Sequence, residues 1–287
     1  MRNILVTGGK GQLGLSLRCI SKEFPDYSFD FMDIEEMDIT DKESISNILK
    51  AKDYFAVINC AAFTAVDLAE GKKEMAHLLN VVGVRNLVDV ANETNTHLIH
   101  ISTDYVFGGN GNTPFKPYDE PNPNSVYGKS KLEGERQIMQ VSKSGFIIIR
   151  TSWLYSEEGN NFLNTMIRIG RNNDSVSVIY DQVGTPTYAG DLARAIILCL
   201  SKINNNSREI FHFSNEGVCS WYDFAKEIME EMSLQCKVLP ILTSQYPTPA
   251  KRPYYSVLNK DDIKNYLSIE IPHWKDSLKT CIKNIKA

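Results

Sequence analysis

The sequence predicts an α/β fold, a doubly wound parallel sheet with a smaller C-terminal lobe. Three observations carry that prediction. Short apolar runs alternate with stretches of helical spacing through the first half of the chain. The runs are nearly continuous in hydrophobic residues, as strands are when a sheet is covered on both faces. The first of them, Ile4-Leu5-Val6, leads at once into glycines at every third position, Gly8, Gly11 and Gly14.

That first stretch reads as a buried strand, a tight turn and the first turn of a helix, with Leu13, Leu17 and Ile20 on the helix's apolar face. It has the form of a Rossmann-type nucleotide turn. Free N–H groups at the helix N-terminus, around Gln12 and Leu13, face a pyrophosphate. A Cβ within the turn would hold the ligand off, and Gly14 lets the helix approach the strand. The next strand, 29–33, ends at Asp33, 19 residues beyond Gly14, where an acid hydrogen-bonds adenosine ribose hydroxyls. Asp38-Ile39-Thr40-Asp41 opens a helix that Thr40 is placed to cap, with Glu43 three residues on.

A third strand, 54–59, runs into Cys60-Ala61-Ala62, small residues against which a flat ligand can lie. A helical stretch over 75–93 follows, then strands over 98–102 and 146–149. Between these two lies 108–124, rich in Gly, Asn and Pro and therefore loop, and then a helix from 125 to about 142. Beyond Arg150 the spacing predicts helices over 161–171, 189–200, 221–232 and 273–285 and a strand over 210–214. Pro240, Pro247, Pro249 and Pro253 predict loop. The expected division is a nucleotide-binding domain over 1–151, with later contributions from about 176–214, and a substrate lobe over 152–287.

At 287 residues the chain can bury a large core, and 43% hydrophobic with 23% charged residues is ordinary for a globular protein. A net charge of −4 gives no footprint for nucleic acid, and no basic run suggests a membrane surface. The N-terminus reaches Thr7-Gly8 too early for a signal peptide, and no apolar run is long enough to span a bilayer. The six cysteines are dispersed and read as reduced packing residues of a cytoplasmic protein. The five histidines lack zinc spacing and read as structural or surface residues, so no metal ligand is assigned.

Two further patterns carry chemistry. Tyr127 and Lys131 lie four apart at the start of a predicted helix, hence on one face a turn apart. An ammonium beside a phenol favours the phenolate and lowers the tyrosine pKa, which suits proton exchange with a carbonyl or alcohol. The lysine can also reach the ribose of a nicotinamide cofactor. At the end of the fourth strand, Ser102-Thr103-Asp104 offers small polar groups to a carbonyl oxygen on which charge develops.

The glycine triplet, Asn80 in Asn80-Val81-Val82-Gly83, the Thr103 segment and the Tyr127/Lys131 pair resemble the extended short-chain dehydrogenase/reductase family. Six segments in order, 61–67, 102–107, 150–155, 159–162, 181–187 and 247–253, are similar to its dTDP-4-dehydrorhamnose reductase branch. The matches run from residue 1 to about residue 258. The resemblance implies NADPH- or NADH-dependent reduction of the C4 keto group of dTDP-4-dehydro-L-rhamnose to dTDP-L-rhamnose. It implies Tyr127 as proton donor, with Lys131 and Thr103 assisting. It implies cofactor contacts at Gly11, Gln12, Leu13, Asp33, Asp38, Ile39, Ala61, Ala62, Tyr127 and Lys131, and substrate contacts at Thr103, Asp104 and Trp153. Arg252 is added as a candidate for the substrate diphosphate, because a guanidinium binds phosphate oxygens in pairs.

Two departures sharpen the resemblance. Tyr105 stands where related dehydratases carry an acid, which favours simple reduction. Ser16 stands near the position of a glutamate that serves magnesium-binding members, which puts a Mg2+ requirement and a metal-bridged dimer in doubt; a homodimer is left open. Asp33 favours NADH and Lys10 favours NADPH, so use of both is expected. Two other readings stay open: a cofactor-binding regulatory subunit like the β subunit of methionine adenosyltransferase, and a reductase of another 4-keto-6-deoxy sugar nucleotide.

Overall fold

The computed structural model describes residues 1–286. The elements run β1 (Arg2–Thr7), α1 (Gln12–Ile20), β2 (Tyr27–Met32), α2 (Lys42–Ala51), β3 (Tyr54–Asn59), α3 (Val66–Gly71), α4 (Lys73–His77), α5 (Gly83–Thr94) and β4 (His97–Thr103). Then come α6 (Val126–Val141), β5 (Phe146–Thr151), β6 (Leu154–Tyr155), α7 (Phe162–Asn172), β7 (Ser175–Ile179), β8 (Val183–Gly184) and β9 (Thr187–Tyr188). The chain closes with α8 (Ala189–Cys199), β10 (Arg208–Phe213), β11 (Cys219–Ser220), α9 (Trp221–Glu231), β12 (Lys237–Ile241), α10 (Asp261–Leu267) and α11 (Trp274–Lys286).

Six strands form one parallel sheet in the order β10-β5-β4-β3-β1-β2. The chain moves outward from β1 to β2 and then restarts on the other side of β1 with β3. Such a reversal opens a crevice at the carboxyl ends of β1 and β3, where open α/β sheets take their ligands. Alternate strand residues face opposite layers. Ile4, Val6, Ala56, Ile58, Ile99, Ile147 and Ile149 pack with residues of α1, α8 and α10. Leu5, Val57, Leu98 and Ile148 pack with residues of α2, α5 and α6. Both faces are covered, which is why the central strands carry continuous apolar runs rather than strict alternation.

The rest of the chain after β5 is split. Helix α8, strand β10 and helix α10 join the sheet's core, whereas α7, α9 and α11 build a second apolar cluster around Phe224, Ile228 and Leu278. Of the stretch 176–214, β7 therefore does not reach the large sheet: it pairs with β12 in a two-stranded ribbon of the second cluster.

Several boundaries differ from the sequence expectation for identifiable reasons. Helix α2 is capped by Asp41, whose carboxylate accepts from the Glu43 N–H, while Thr40 donates its hydroxyl to Asp38. The helix expected over 75–93 is interrupted by a π-helical segment, Leu78–Val82, between α4 and α5. Pro240 lies inside β12, an outer ribbon strand where a missing N–H costs little. The loop over 108–124 is held down by backbone hydrogen bonds of Phe115 to Val257 and Asn259 and by side chains of the sheet. Arg150 donates to the Pro117 carbonyl, and His212 Nδ1 lies 3.0 Å from the Phe115 carbonyl.

Candidate active site

One cavity of about 730 Å3 lies at the carboxyl ends of the strands and extends into the second lobe. At one end is the glycine turn. Gly8 has φ +65°, a conformation that disfavours a side chain, and a Cβ there would lie 2.8 Å from Ala61 N. A Cβ on Gly14 would collide with the Gly8 carbonyl. Helix α1 starts after Gly11 with no side-chain cap and no acid in its first turn. Its free N–H groups are thus left for a ligand, and the partial positive charge of the helix end favours an anion there. The turn and helix end fit a dinucleotide pyrophosphate. Asp33, at the end of β2, accepts from the N–H groups of Lys10 and Ile34, which fixes its carboxylate at the rim. Lys10 reaches Glu35 at 2.7 Å.

Past Cys60 and Ala61 the cavity meets the start of α6. Ser125 caps this helix by accepting from the Gly128 N–H. Gly128 must be bare, because a Cβ would strike the Tyr105 carbonyl, and Gly134 must be bare against the Asn80 carbonyl. Asn80 sits within the π-helical segment and is buried. Its amide accepts from Phe63 N and donates to Phe63 O and to Ser130 Oγ. The widened turn thus joins the loop after β3 to α6, an example of a π-segment placed at a functional site.

Tyr127 is buried, its ring edge-on to Tyr105 with centroids 5.5 Å apart. Its phenol is pushed up to about 12: burial raises it, the Thr103 hydroxyl bond opposes, and the charge of Asp104 adds to the rise. The lowered value expected from the Tyr127/Lys131 spacing is not what the structure gives. The Lys131 ammonium turns instead to the Ile101 carbonyl at 2.7 Å and to His100 Nε2 at 3.3 Å. Lys131 falls to about 8, because burial disfavours its charge more than Glu135 and Cys60 support it. Asp104 rises to about 7 through burial, against help from Thr103 and Ser256. Thr103 donates to Asp104 Oδ1 at 3.0 Å, while Oδ2 has no hydrogen-bond partner among the described residues.

On the opposite wall stands Trp153, at φ +48°, an uncommon backbone conformation for a bulky residue. Its ring stacks on Trp221 at 3.5 Å between centroids, and a Cβ on Gly184 would lie 2.8 Å from it. The two lobes also meet through Gln12, whose amide oxygen accepts from Ser156 and Asn161.

Gly8, Gly11, Gln12, Leu13, Gly14, Asp33, Asp38, Ile39, Ala61, Ala62, Thr103, Asp104, Tyr127, Lys131 and Trp153 all line this one cavity. Arg252 does not: Asp67 holds its guanidinium in a two-point ion pair of 3.0 and 2.6 Å. Sequence reasoning missed Trp221 and the side-chain bridge from Gln12, since nothing in the local pattern says which distant segment a residue will meet. It also missed Asn59 and His100, for which a signal existed: Thr7, Asn59, His100 and Ser102 are polar residues near the carboxyl ends of otherwise apolar strands. Among the described residues no group of three or more His, Cys, Asp or Glu side chains could hold a metal ion. No helix among them is long and apolar enough to cross a membrane.

The doubly wound sheet, the bare glycine turn and the buried Tyr127/Lys131 pair on one cavity define a Rossmann-type protein whose site fits a dinucleotide. The family is defined by comparison. The profile described as RmlD substrate binding domain matches residues 1–287, and the chain belongs to that family. A dTDP-4-dehydrorhamnose reductase of Aggregatibacter actinomycetemcomitans is 41% identical over 100% of this chain and 99% of its own. The crystal structure of a dTDP-4-dehydrorhamnose reductase from Clostridium acetobutylicum superposes with a TM-score of 0.94 at 39% identity, covering 99% of this chain and 100% of that one. The Bacillus anthracis dTDP-4-dehydrorhamnose reductase, solved in complex with NADP, gives a TM-score of 0.93 at 33% identity, with 99% and 100% covered.

Proposed function

We propose that this oxidoreductase reduces the C4 keto group of dTDP-4-dehydro-L-rhamnose to give dTDP-L-rhamnose. The observation that carries the reading is the continuity of the cavity, from the bare helix end at Gly11 to Tyr127, Thr103 and Trp153. When bound, the nicotinamide supplies hydride. Every other part falls to this chain. The glycine turn holds the pyrophosphate, and Asp33, Asp38 and Ile39 line the adenosine end. Tyr127 gives its proton to the oxygen of the new C4 alcohol. A phenol near 12 holds that proton until negative charge develops on the oxygen, when transfer becomes favourable. Thr103 orients the phenol, and Asp104, with an unshared carboxyl oxygen, addresses the sugar. Trp153, backed by the Trp221 ring, offers a flat apolar wall to the sugar nucleotide. Arg252, paired with Asp67, stands outside this set as a support of the loop that carries it.

Both NADH and NADPH are used in this reading, because the same rim carries Asp33 and Lys10. The test is a panel of 4-keto-6-deoxy sugar nucleotides reduced with each cofactor and the products identified by NMR. The dTDP-4-dehydro-L-rhamnose couple is expected to turn over fastest, with both cofactors. Faster reduction of a different sugar, or no turnover of any, would refute the assignment.

A further inference from the structure

Beneath α6 the sheet carries a row of polar residues that the reaction as described does not use. Thr7, Asn59 and His100 stand side by side on the neighbouring strands β1, β3 and β4, in register. They face the layer of α2, α5 and α6, where the preceding row is Leu5, Val57 and Leu98. All three are buried, and so is Lys131, which comes down from α6 onto the end of the row. Thr7 Oγ1 and Asn59 Oδ1 are 2.7 Å apart, Asn59 Nδ2 and His100 Nδ1 3.0 Å, and His100 Nε2 and Lys131 Nζ 3.3 Å. Polar groups at such depth persist only when each is satisfied, so the whole row has a definite hydrogen-bond polarity.

We infer that His100 is a positioning residue for Lys131: its Nε2 accepts from the ammonium, and the Asn59 amide beside Thr7 turns to match whichever imidazole nitrogen carries the hydrogen. The inference rests on the proposed reduction, in which the family resemblance gives Lys131 the part of assisting Tyr127. Its logic is donor counting. An ammonium has only hydrogens to offer, so Nε2 must present its lone pair and the hydrogen must sit on Nδ1. Nδ1–H then needs an acceptor, so in this state the Asn59 amide must turn its oxygen to Nδ1 and its nitrogen to Thr7 Oγ1, the reverse of the arrangement in the structure. The arrangement in the structure, with Asn59 Nδ2 toward Nδ1 and Oδ1 accepting from Thr7, goes with a neutral Lys131 amine that accepts from Nε2–H. Passing between the two states removes one proton from the Lys131–His100 pair to solvent and turns the Asn59 amide by half. The imidazole stays neutral throughout, since burial and the neighbouring ammonium both oppose a charge on it. Two other groups face Lys131. Cys60 is held as a thiol by burial, and Glu135 is engaged by Arg150 from β5.

The test is 15N NMR of the ligand-free protein labelled at histidine, with the His100 signals identified by their loss in His100→Gln. His100 is expected neutral with its hydrogen on Nδ1 at about pH 6.5 and on Nε2 at about pH 9.5, on either side of the Lys131 transition. An imidazolium at the lower pH, or one tautomer at both, overturns the inference. A second arm reads the alkaline limb of the kcat/KM profile. Losing an acceptor disfavours the ammonium, so His100→Leu should move that limb to lower pH by about half a unit or more. His100→Gln, with an amide oxygen to accept, should restore it to within about 0.2 of wild type. Equal profiles for folded His100→Leu and wild type overturn the inference as well. The NMR arm needs no turnover, so its failure is separable from failure of the proposed reaction, which the Tyr127→Phe variant tests.

Discussion

Lys131 and Glu135 stand one turn apart on the same face of α6, both buried, yet they are held by opposite means. Glu135 takes Arg150 in a two-point ion pair of 2.9 and 2.6 Å and accepts from Ser102 as well. Arg150 spends its remaining reach on the Pro117 carbonyl and so ties the loop over 108–124 to the sheet. Among the described residues Lys131 has no such partner at contact distance. It is given a carbonyl, an imidazole and an opening to the cavity. A charge with a full complement of partners is structural. A charge held by neutral dipoles remains exchangeable near neutral pH, and that is the one beside the phenol.

The comparison yields opposite signs. Glu135→Gln strands the Arg150 guanidinium in the core and should cost about 3–5 kcal/mol in urea unfolding. Replacing both partners by apolar residues of similar size should cost far less than the single change. Lys131→Met, by contrast, removes a charge that burial disfavours and should raise stability by roughly 1–3 kcal/mol at pH 7 while abolishing reduction. The sign over pH follows from the depressed value. Between about 8 and 10.5 the unfolded chain binds a proton that the folded chain lacks, so wild-type stability rises across that window and the gain from Met fades. A loss of stability in Lys131→Met, or a gain that persists unchanged at pH 10.5, breaks the comparison.

A smaller effect is expected where a charge pair is exposed. Glu35 competes for Lys10 at the rim, so Glu35→Gln should lower KM for NADPH about threefold and leave KM for NADH unchanged. Equal effects on the two cofactors would remove Lys10 from the choice between them.

The same contrast explains what could be read from the chain alone. The glycine turn and the parallel strands announce themselves because their requirements are local: a bare Cα at a turn, or an apolar run covered on both faces. Tyr127 and Lys131 are local too, fixed by a helical spacing of four. The environment that sets their acidity is not local. Ile101, His100 and Thr103 come from β4 and Glu135 from the next turn, so the spacing predicted a lowered Tyr127 while burial raised it. Arg252 failed to reach the cavity for a similar reason, since Asp67 lies 185 residues away in sequence. The second lobe, with its two-stranded ribbons and the Trp153–Trp221 stack, depends on pairings between distant short segments that no local period records.

The most direct measurement is made on Tyr127→Phe, comparing NADPH binding with reduction of dTDP-4-dehydro-L-rhamnose in one preparation. Removing only a hydroxyl should leave binding within about twofold and lower kcat by roughly 10²–10⁴-fold, the range for a lost general acid. Reduction near the wild-type rate with binding intact would contradict the assignment of the proton to this phenol.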